Sequence, residues 1–312
     1  MASEKQIVVF GACEEEITCR VDQIPLLGET TTEYGGWESA MSGFGLLAAA
    51  QIALCGAEAR LCSAVGEDAA GAAIRRLAEK RGFDSPWFYA DPAEKTALRL
   101  HLAESGEKER SFYFPGAYGA FRRQYAEEAF ASRPASVCAA TSLPVGLLEY
   151  VAETADEQGA ALFLTADRMR NATVLGQIGR CEALVLTEEE AGRATRVSPD
   201  TMDGCLAAAM KLSSYVKARY YIIRLRERGV FLYDGTYQSL IAPPEERTLD
   251  LPGTAACFLG AFVYAYDATR EAETACRFAN VAAILSEKRA GSAADLPHPR
   301  EIEAYCRKRN IL

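Results

Sequence analysis

The chain has 312 residues, 49% of them hydrophobic, enough for a large buried core in one or two domains. With 43 acidic against 34 basic residues its net charge is -9, which argues against broad binding to nucleic acid or to an anionic membrane. The 10 cysteines are scattered, form no C-x-x-C pair and sit in apolar company such as IALCGA, a pattern of reduced, buried thiols rather than of a metal site.

In chain order, IVVFGA opens a strand at Ile7, too early for a basic-then-apolar export signal, so a cytoplasmic location is expected. Residues 14 to 34 alternate polar and apolar positions around a turn at Pro25 to Gly28. MSGFGLLAAAQIALCGA falls short of the roughly 20 apolar residues of a membrane span and contains Gln51, so no transmembrane helix is expected. AAAQIAL, ARLCSAVG and AGAAIRRLAEKRG then alternate helix, strand and helix patterns. KTALRLHLAESGEKERSFYFPGA reads as a hairpin, with strands near 96 to 103 and 109 to 114 around Ser105 and Gly106. The alternation resumes through LLEYVAETADEQG, ALFLTA, EALVLT, MDGCLAAAMKLSSYV and YYIIRL. This order predicts a largely parallel sheet covered by helices on both faces, with ligands at the carboxyl ends of its strands. The two exceptional stretches can form a small sheet standing off the body. No internal repeat or low-complexity linker divides the chain.

DLPGTAACF, residues 250 to 258, breaks at Pro252 and Gly253 and returns to helical spacing from Phe258. A turn feeding a helix in this way leaves backbone N–H groups without intrahelical partners, at the positive end of the helix dipole. Anions are favoured there. The four residues after Gly253 nevertheless include no proton acceptor of the carboxylate or imidazole kind.

Several separate stretches resemble one family, the PfkB-type or ribokinase-like carbohydrate kinases. Gly11 in the first strand, the D-x-x-P-x-x-G-E pattern at Asp22, Pro25, Gly28 and Glu29, SAVGEDAAG at 63 to 71, FPGA closing the hairpin, TEEEA at 187 to 191, DLPG at 250 to 253 and CRFANVAA at 276 to 283 fall in family order. Together they span nearly the whole chain. The resemblance implies a single ribokinase-like domain over 1–312, a three-layer α/β/α body with a mostly parallel central sheet and a β-sheet lid from about 14–36 and 95–116. It also implies a sugar under the lid, ATP and Mg across the strand ends, an aspartate that takes the sugar hydroxyl's proton, and lid sheets that pair into a homodimer.

Residue by residue, the match breaks where the chemistry is expected. Against the family's G-A-G-D turn stand Gly253, Thr254, Ala255 and Ala256, so the position of the base carries a methyl group. Loss of a general base costs roughly 10² to 10⁴ in rate. Asp250, six residues upstream, is a possible substitute. The sugar-binding G-G-x-x-x-N falls on Ser42, Gly43 and Leu47, or with an insertion on Gly35 and Gly36, and the family's early aspartate falls on Glu16. N-x-x-E falls on Thr187 and Glu190, the latter a metal-side acid by resemblance and a dipole-favoured acid by position. T-x-G falls on Arg224 and Arg226, where arginine can clamp an anion, block ATP by bulk, or sit as a solvated strand end. Asn280 matches a position near the adenine pocket, and helix packing would explain it equally well. His101 and His298 lack triad partners, and Cys257 at a helix start is either a low-pKa thiol or a buried filler.

Three functions follow. The first is a ribokinase-fold protein with lost or impaired phosphoryl transfer that binds a small polar, sugar-like or anionic ligand, or regulates a partner. The second is an active ATP- and Mg-dependent sugar or nucleoside kinase with a displaced base. The third is an assembly protein dimerising through its lid.

Overall fold

The computed structural model describes residues 6–21, 28, 36–104, 108–144, 146–167, 169, 172–242, 253–287 and 295–311. The turn residues Asp22, Pro25 and Glu29, and Asp250 with the Leu-Pro that follows it, lie outside them. In chain order the elements are β1 (Ile7–Phe10), β2 (Glu14–Val21), β3 (Trp37–Ser42), α1 (Phe44–Leu54), β4 (Ala59–Gly66), α2 (Ala69–Arg81), β5 (Phe88–Asp91), β6 (Ala97–Glu104), β7 (Lys108–Phe114), α3 (Gly116–Gly119), α4 (Arg123–Phe130) and β8 (Ser136–Ala140). They continue with α5 (Leu147–Gln158), β9 (Ala161–Thr165), β10 (Arg180–Thr187), α6 (Glu188–Thr195), α7 (Met202–Leu212), β11 (Lys217–Arg224), β12 (Val230–Tyr233), β13 (Gln238–Ile241), α8 (Thr254–Thr269), α9 (Ala272–Glu287) and α10 (Pro299–Arg309).

The main sheet has nine strands among the described residues, in the order β13-β12-β11-β10-β9-β8-β1-β4-β5. From β11 to β5 the pairing is parallel, and β12 and β13 add an antiparallel edge. Both faces are buried, as the unbroken apolar run of β1 requires. Ile7 and Val9 point into one core with α1, α8 and α9, while Val8 and Phe10 point into a second with α4, α5 and α7. This is the expected three-layer arrangement.

Two glycines explain how helices reach the strand ends. Gly43 caps α1 at φ 102, and a Cβ on Gly45 would lie 2.3 Å from the Gly11 carbonyl oxygen, so a side chain there would push α1 off β1.

A four-stranded lid sheet, β3-β2-β6-β7, stands apart from the main sheet. β2, β6 and β7 fall within the two exceptional stretches of the sequence, whereas β3 lies beyond the expected 14–36. The register puts Glu14, Glu16, Arg99, His101, Ser111 and Tyr113 on one face and Ile17, Cys19, Trp37, Leu98, Leu100, Leu102, Phe112 and Phe114 on the other. The lid therefore has a charged face and a mostly apolar one, the latter also carrying Glu15 and Arg110.

Candidate functional site

At the carboxyl ends of the parallel strands the chain brings together Ser142 after β8, Asp167 after β9, Glu190 after β10, Arg224 at the end of β11 and the first turn of α8. The charged face of the lid is coupled to this edge, since Asp167 of the body lies within electrostatic reach of Arg99 in β6.

On the lid side, Glu14 is 2% exposed and accepts a charge-assisted hydrogen bond from Arg99 Nε at 2.5 Å. The Arg99 guanidinium also lies over the Tyr113 ring at 5.3 Å. Burial would lower its pKa, but Glu14, with Asp167 and Glu16 behind it, outweighs burial and holds it above the ordinary arginine value. Glu16 sits 3.6 Å from His101 Nε2, and His101 Nδ1 faces Ser111 Oγ at 2.7 Å. His101, which lacks triad partners in the sequence, is thus part of the charged lid face. On the body, Ser142 Oγ donates to Asp167 Oδ2 at 2.5 Å, while the Asp167 backbone exchanges hydrogen bonds with Thr141 at 3.0 Å. Of the positions expected to hold sugar, Ser42 is buried at the end of β3 and Gly43 forms the α1 cap. Leu47 is core at 1% exposure.

Asp167, Arg99, Glu14 and Ser142 were not anticipated from sequence as site residues. The alternation L-R-L-H-L at 98 to 102 carried the signal for Arg99 and His101, and the two-residue offset of Asp167 from the end of its strand carried the signal for the acid.

The side on which the resemblance places the nucleotide is built differently. Gly253, at φ 87, starts α8 with no side-chain cap. Thr254 and Ala256 are buried and Ala255 is half-buried. The Ala256 methyl group thus belongs to the packed first turn and supplies no proton acceptor. Arg224 is 8% exposed, its guanidinium 5.5 Å from the Phe258 ring centroid. With Arg226, Asn280 and Glu287 it lines a cavity of about 10 Å³, room for one water molecule. Asn280 is buried, and its side-chain Nδ2 has no hydrogen-bond partner among the described residues. Arg226 keeps a backbone that suits glycine, φ 49, but its side chain turns to Glu189, with Nη2 2.6 Å from Oε1.

Glu190 and Thr187 form a capping box. The Thr187 N–H donates to Glu190 Oε2 at 2.8 Å, and Thr187 Oγ1 accepts from the Glu190 N–H at 3.2 Å. Desolvation pushes the Glu190 carboxyl up to about 7; Asp167 adds to the rise, while the Thr187 hydrogen bonds and Arg224 oppose it. Cys257 is fully buried and donates from Sγ to Gln51 Oε1 at 3.4 Å. Burial raises its thiol to about 12, which corrects the low-pKa alternative in favour of the buried filler. His298 caps α10, accepting at Nδ1 from the Arg300 N–H at 3.3 Å.

Comparison with known proteins places this arrangement. The description pfkB family carbohydrate kinase matches residues 4–299. The chain belongs to the pfkB family. Among solved structures, the pfkB chain is similar to the ribokinase of Arabidopsis thaliana complexed with ribose and ATP, with 21% identity, a TM-score of 0.83 and coverage of 96% of this chain and 98% of that one. It is also similar to the ribokinase of Thermotoga maritima, with 20% identity, a TM-score of 0.81 and coverage of 97% and 99%. The nucleoside kinase of Methanocaldococcus jannaschii gives 15% identity, a TM-score of 0.79 and coverage of 97% and 98%. No curated protein matches by sequence. These likenesses carry the pfkB fold. Among the described residues, no helix is long and apolar enough to cross a membrane, and no three or more His, Cys, Asp or Glu side chains are grouped to hold a metal ion.

Proposed function

We propose that this pfkB-family protein binds a small polar, sugar-like ligand between its lid and the strand ends, and that its ATP-dependent phosphoryl transfer is lost or strongly impaired. The observation that carries the proposal is Ala256 at the base position of the α8 start, beside the buried guanidinium of Arg224, which lines a cavity of about 10 Å³ with Asn280 and Glu287. The residues present do not fit ATP with Mg. Ala256 offers no base, Arg224 takes up nucleotide space, and the Glu190 carboxyl is engaged in a helix cap with a pKa near neutrality. The lid side, by contrast, keeps carboxylates suited to accepting hydrogen bonds from hydroxyl groups, Glu16 and Asp167 among them. Ribose in the Arabidopsis thaliana structure sets the ligand class to test first. The test pairs a turnover assay with ATP, magnesium and a panel of sugars and nucleosides with a thermal-shift screen of the same compounds. Stabilisation by a sugar without turnover supports the proposal. Ordinary kinase turnover refutes it, and would favour the displaced-base reading, with Asp250 as its candidate.

The apolar lid face favours a second element of function, assembly. Trp37, Phe112 and Phe114 are exposed on it, alongside Ile17, Leu98, Leu100 and Leu102. A four-stranded face of this length measures about 500 Å². Two such faces apposed about a two-fold axis bury about 1,000 Å², the lower limit for a specific interface. A homodimer through the lid is the expected assembly, checked by sedimentation.

A further inference from the structure

On the far side of Arg226 from the closed cavity lies an open groove of about 720 Å³, a volume ordinary for a small-molecule site. One wall is a flank of α6, where Glu188, Gly192 and Arg196 follow one another at four-residue spacing beside Glu189 and Arg193. The other wall is the turn at 226–228. Four arginines, at 193, 196, 226 and 228, face three glutamates, at 188, 189 and 227, which gives a local excess of positive charge on a protein of net charge -9. Two of the arginines are held by carboxylates: Arg226 by Glu189 at 2.6 Å and Arg228 by Glu188 at 2.7 Å. Arg228 is fixed further by donating to the carbonyl oxygens of Asp200 and Pro199 at 2.8 and 2.9 Å. Arg193 and Arg196 have no carboxylate partner among the described residues.

We propose that this groove seats a small polyanion, a diphosphate group, with Arg193 and Arg196 as its first contacts and the Glu188 and Glu189 carboxylates as internal stand-ins that a phosphate can displace from Arg228 and Arg226. The planar guanidinium fork matches phosphate oxygens two at a time, and four such forks around one groove exceed what its glutamates neutralise. The inference does not depend on whether the lid binds a sugar.

The test is isothermal titration of the full chain with inorganic pyrophosphate, without divalent metal, at low and at moderate salt. Saturable binding is expected, weaker at higher salt and about tenfold or more weaker in Arg193→Gln/Arg196→Gln. Glu188→Gln/Glu189→Gln is expected to bind several-fold more tightly, because it frees the other two arginines. All four positions are at least partly exposed, and thermal melts of each variant confirm folding. A parallel titration with ADP separates the sources: tighter binding than pyrophosphate points to the diphosphate of a nucleotide, equal binding to a free diphosphate. No heat from millimolar pyrophosphate overturns the proposal, as does binding that the double arginine variant leaves unchanged.

Discussion

Glu190→Gln isolates the electrostatics of the strand-end site without disturbing its geometry. Glutamine at the same helix position keeps an oxygen for the Thr187 N–H, so the capping box survives while the titratable group is lost. In the folded protein the Glu190 carboxyl titrates near 7, against an ordinary 4.5. The native state therefore holds a proton that the unfolded chain releases across that interval. Below about pH 4.5 both states are protonated and the group costs nothing. As pH rises through the interval, stability falls, and above about pH 7 the whole cost is present. A rise from 4.5 to about 7 corresponds to a ceiling of about 3 kcal/mol. The half-buried position of the carboxyl brings the expected value to about 1 to 3 kcal/mol.

The assay is urea unfolding of wild type and Glu190→Gln at steps between about pH 4.5 and pH 8.5, reading the difference in unfolding free energy. That difference should grow in favour of the variant as pH rises and level off above about pH 7. A difference that stays flat refutes the reasoning, because it means the carboxyl titrates alike in both states. Asp167→Asn supplies a control: removing its charge should lower the Glu190 pKa and pull the upper end of the window to lower pH.

Ala256→Asp alone is expected to give no turnover with ATP and sugars, because Arg224 still fills the nucleotide side; a large gain in the single variant refutes the closed cavity. Adding Arg224→Thr and Arg226→Gly is expected to produce nucleotide-dependent thermal stabilisation, and its absence shifts the blame to other residues. Arg99→Ala should destabilise the protein by about 3 kcal/mol, since it takes from the buried Glu14 its charge-assisted hydrogen bond, while Arg99→Met/Glu14→Leu should recover most of the loss in the same melts. Phe112→Asp, at a side chain 49% exposed, should abolish a lid dimer in sedimentation with little change in monomer stability; an unchanged sedimentation profile removes the lid face as the interface.

The body of the fold was legible because its signals are redundant. β4, β8 and β10 each lead into a helix, and β1 alone, with four buried residues alternating between two cores, already demands helices on both faces. The lid was legible from its hairpin, although the sequence reading stopped short of its two faces. Strict alternation assigns Glu14 and Glu16 to one side and Glu15 to the other, so Glu16 was reached through the resemblance while Glu14, two residues before it in the EEE run, was not. Asp167 was harder to see. It lies two residues beyond β9, and its importance comes from Ser142, Glu190 and Arg99, which approach it from three other elements.

Arg224 and Arg226 mark the limit of reading a substitution by type. Both replace small residues of the family pattern with the same side chain, and sequence alone treats them alike. The structure gives them opposite directions. Arg224 ends a central strand, so its side chain runs into the interior beside Phe258, and the electrostatic environment that accepts a buried cation includes Glu190. Arg226 begins the next turn at φ 49, and its side chain leaves the core for Glu189 on the outer groove. The turn thus holds Arg226 at a backbone that suits glycine, while the two side chains part to either side of it. Arg224 lines the inner cavity, and Arg226 helps to charge the outer groove.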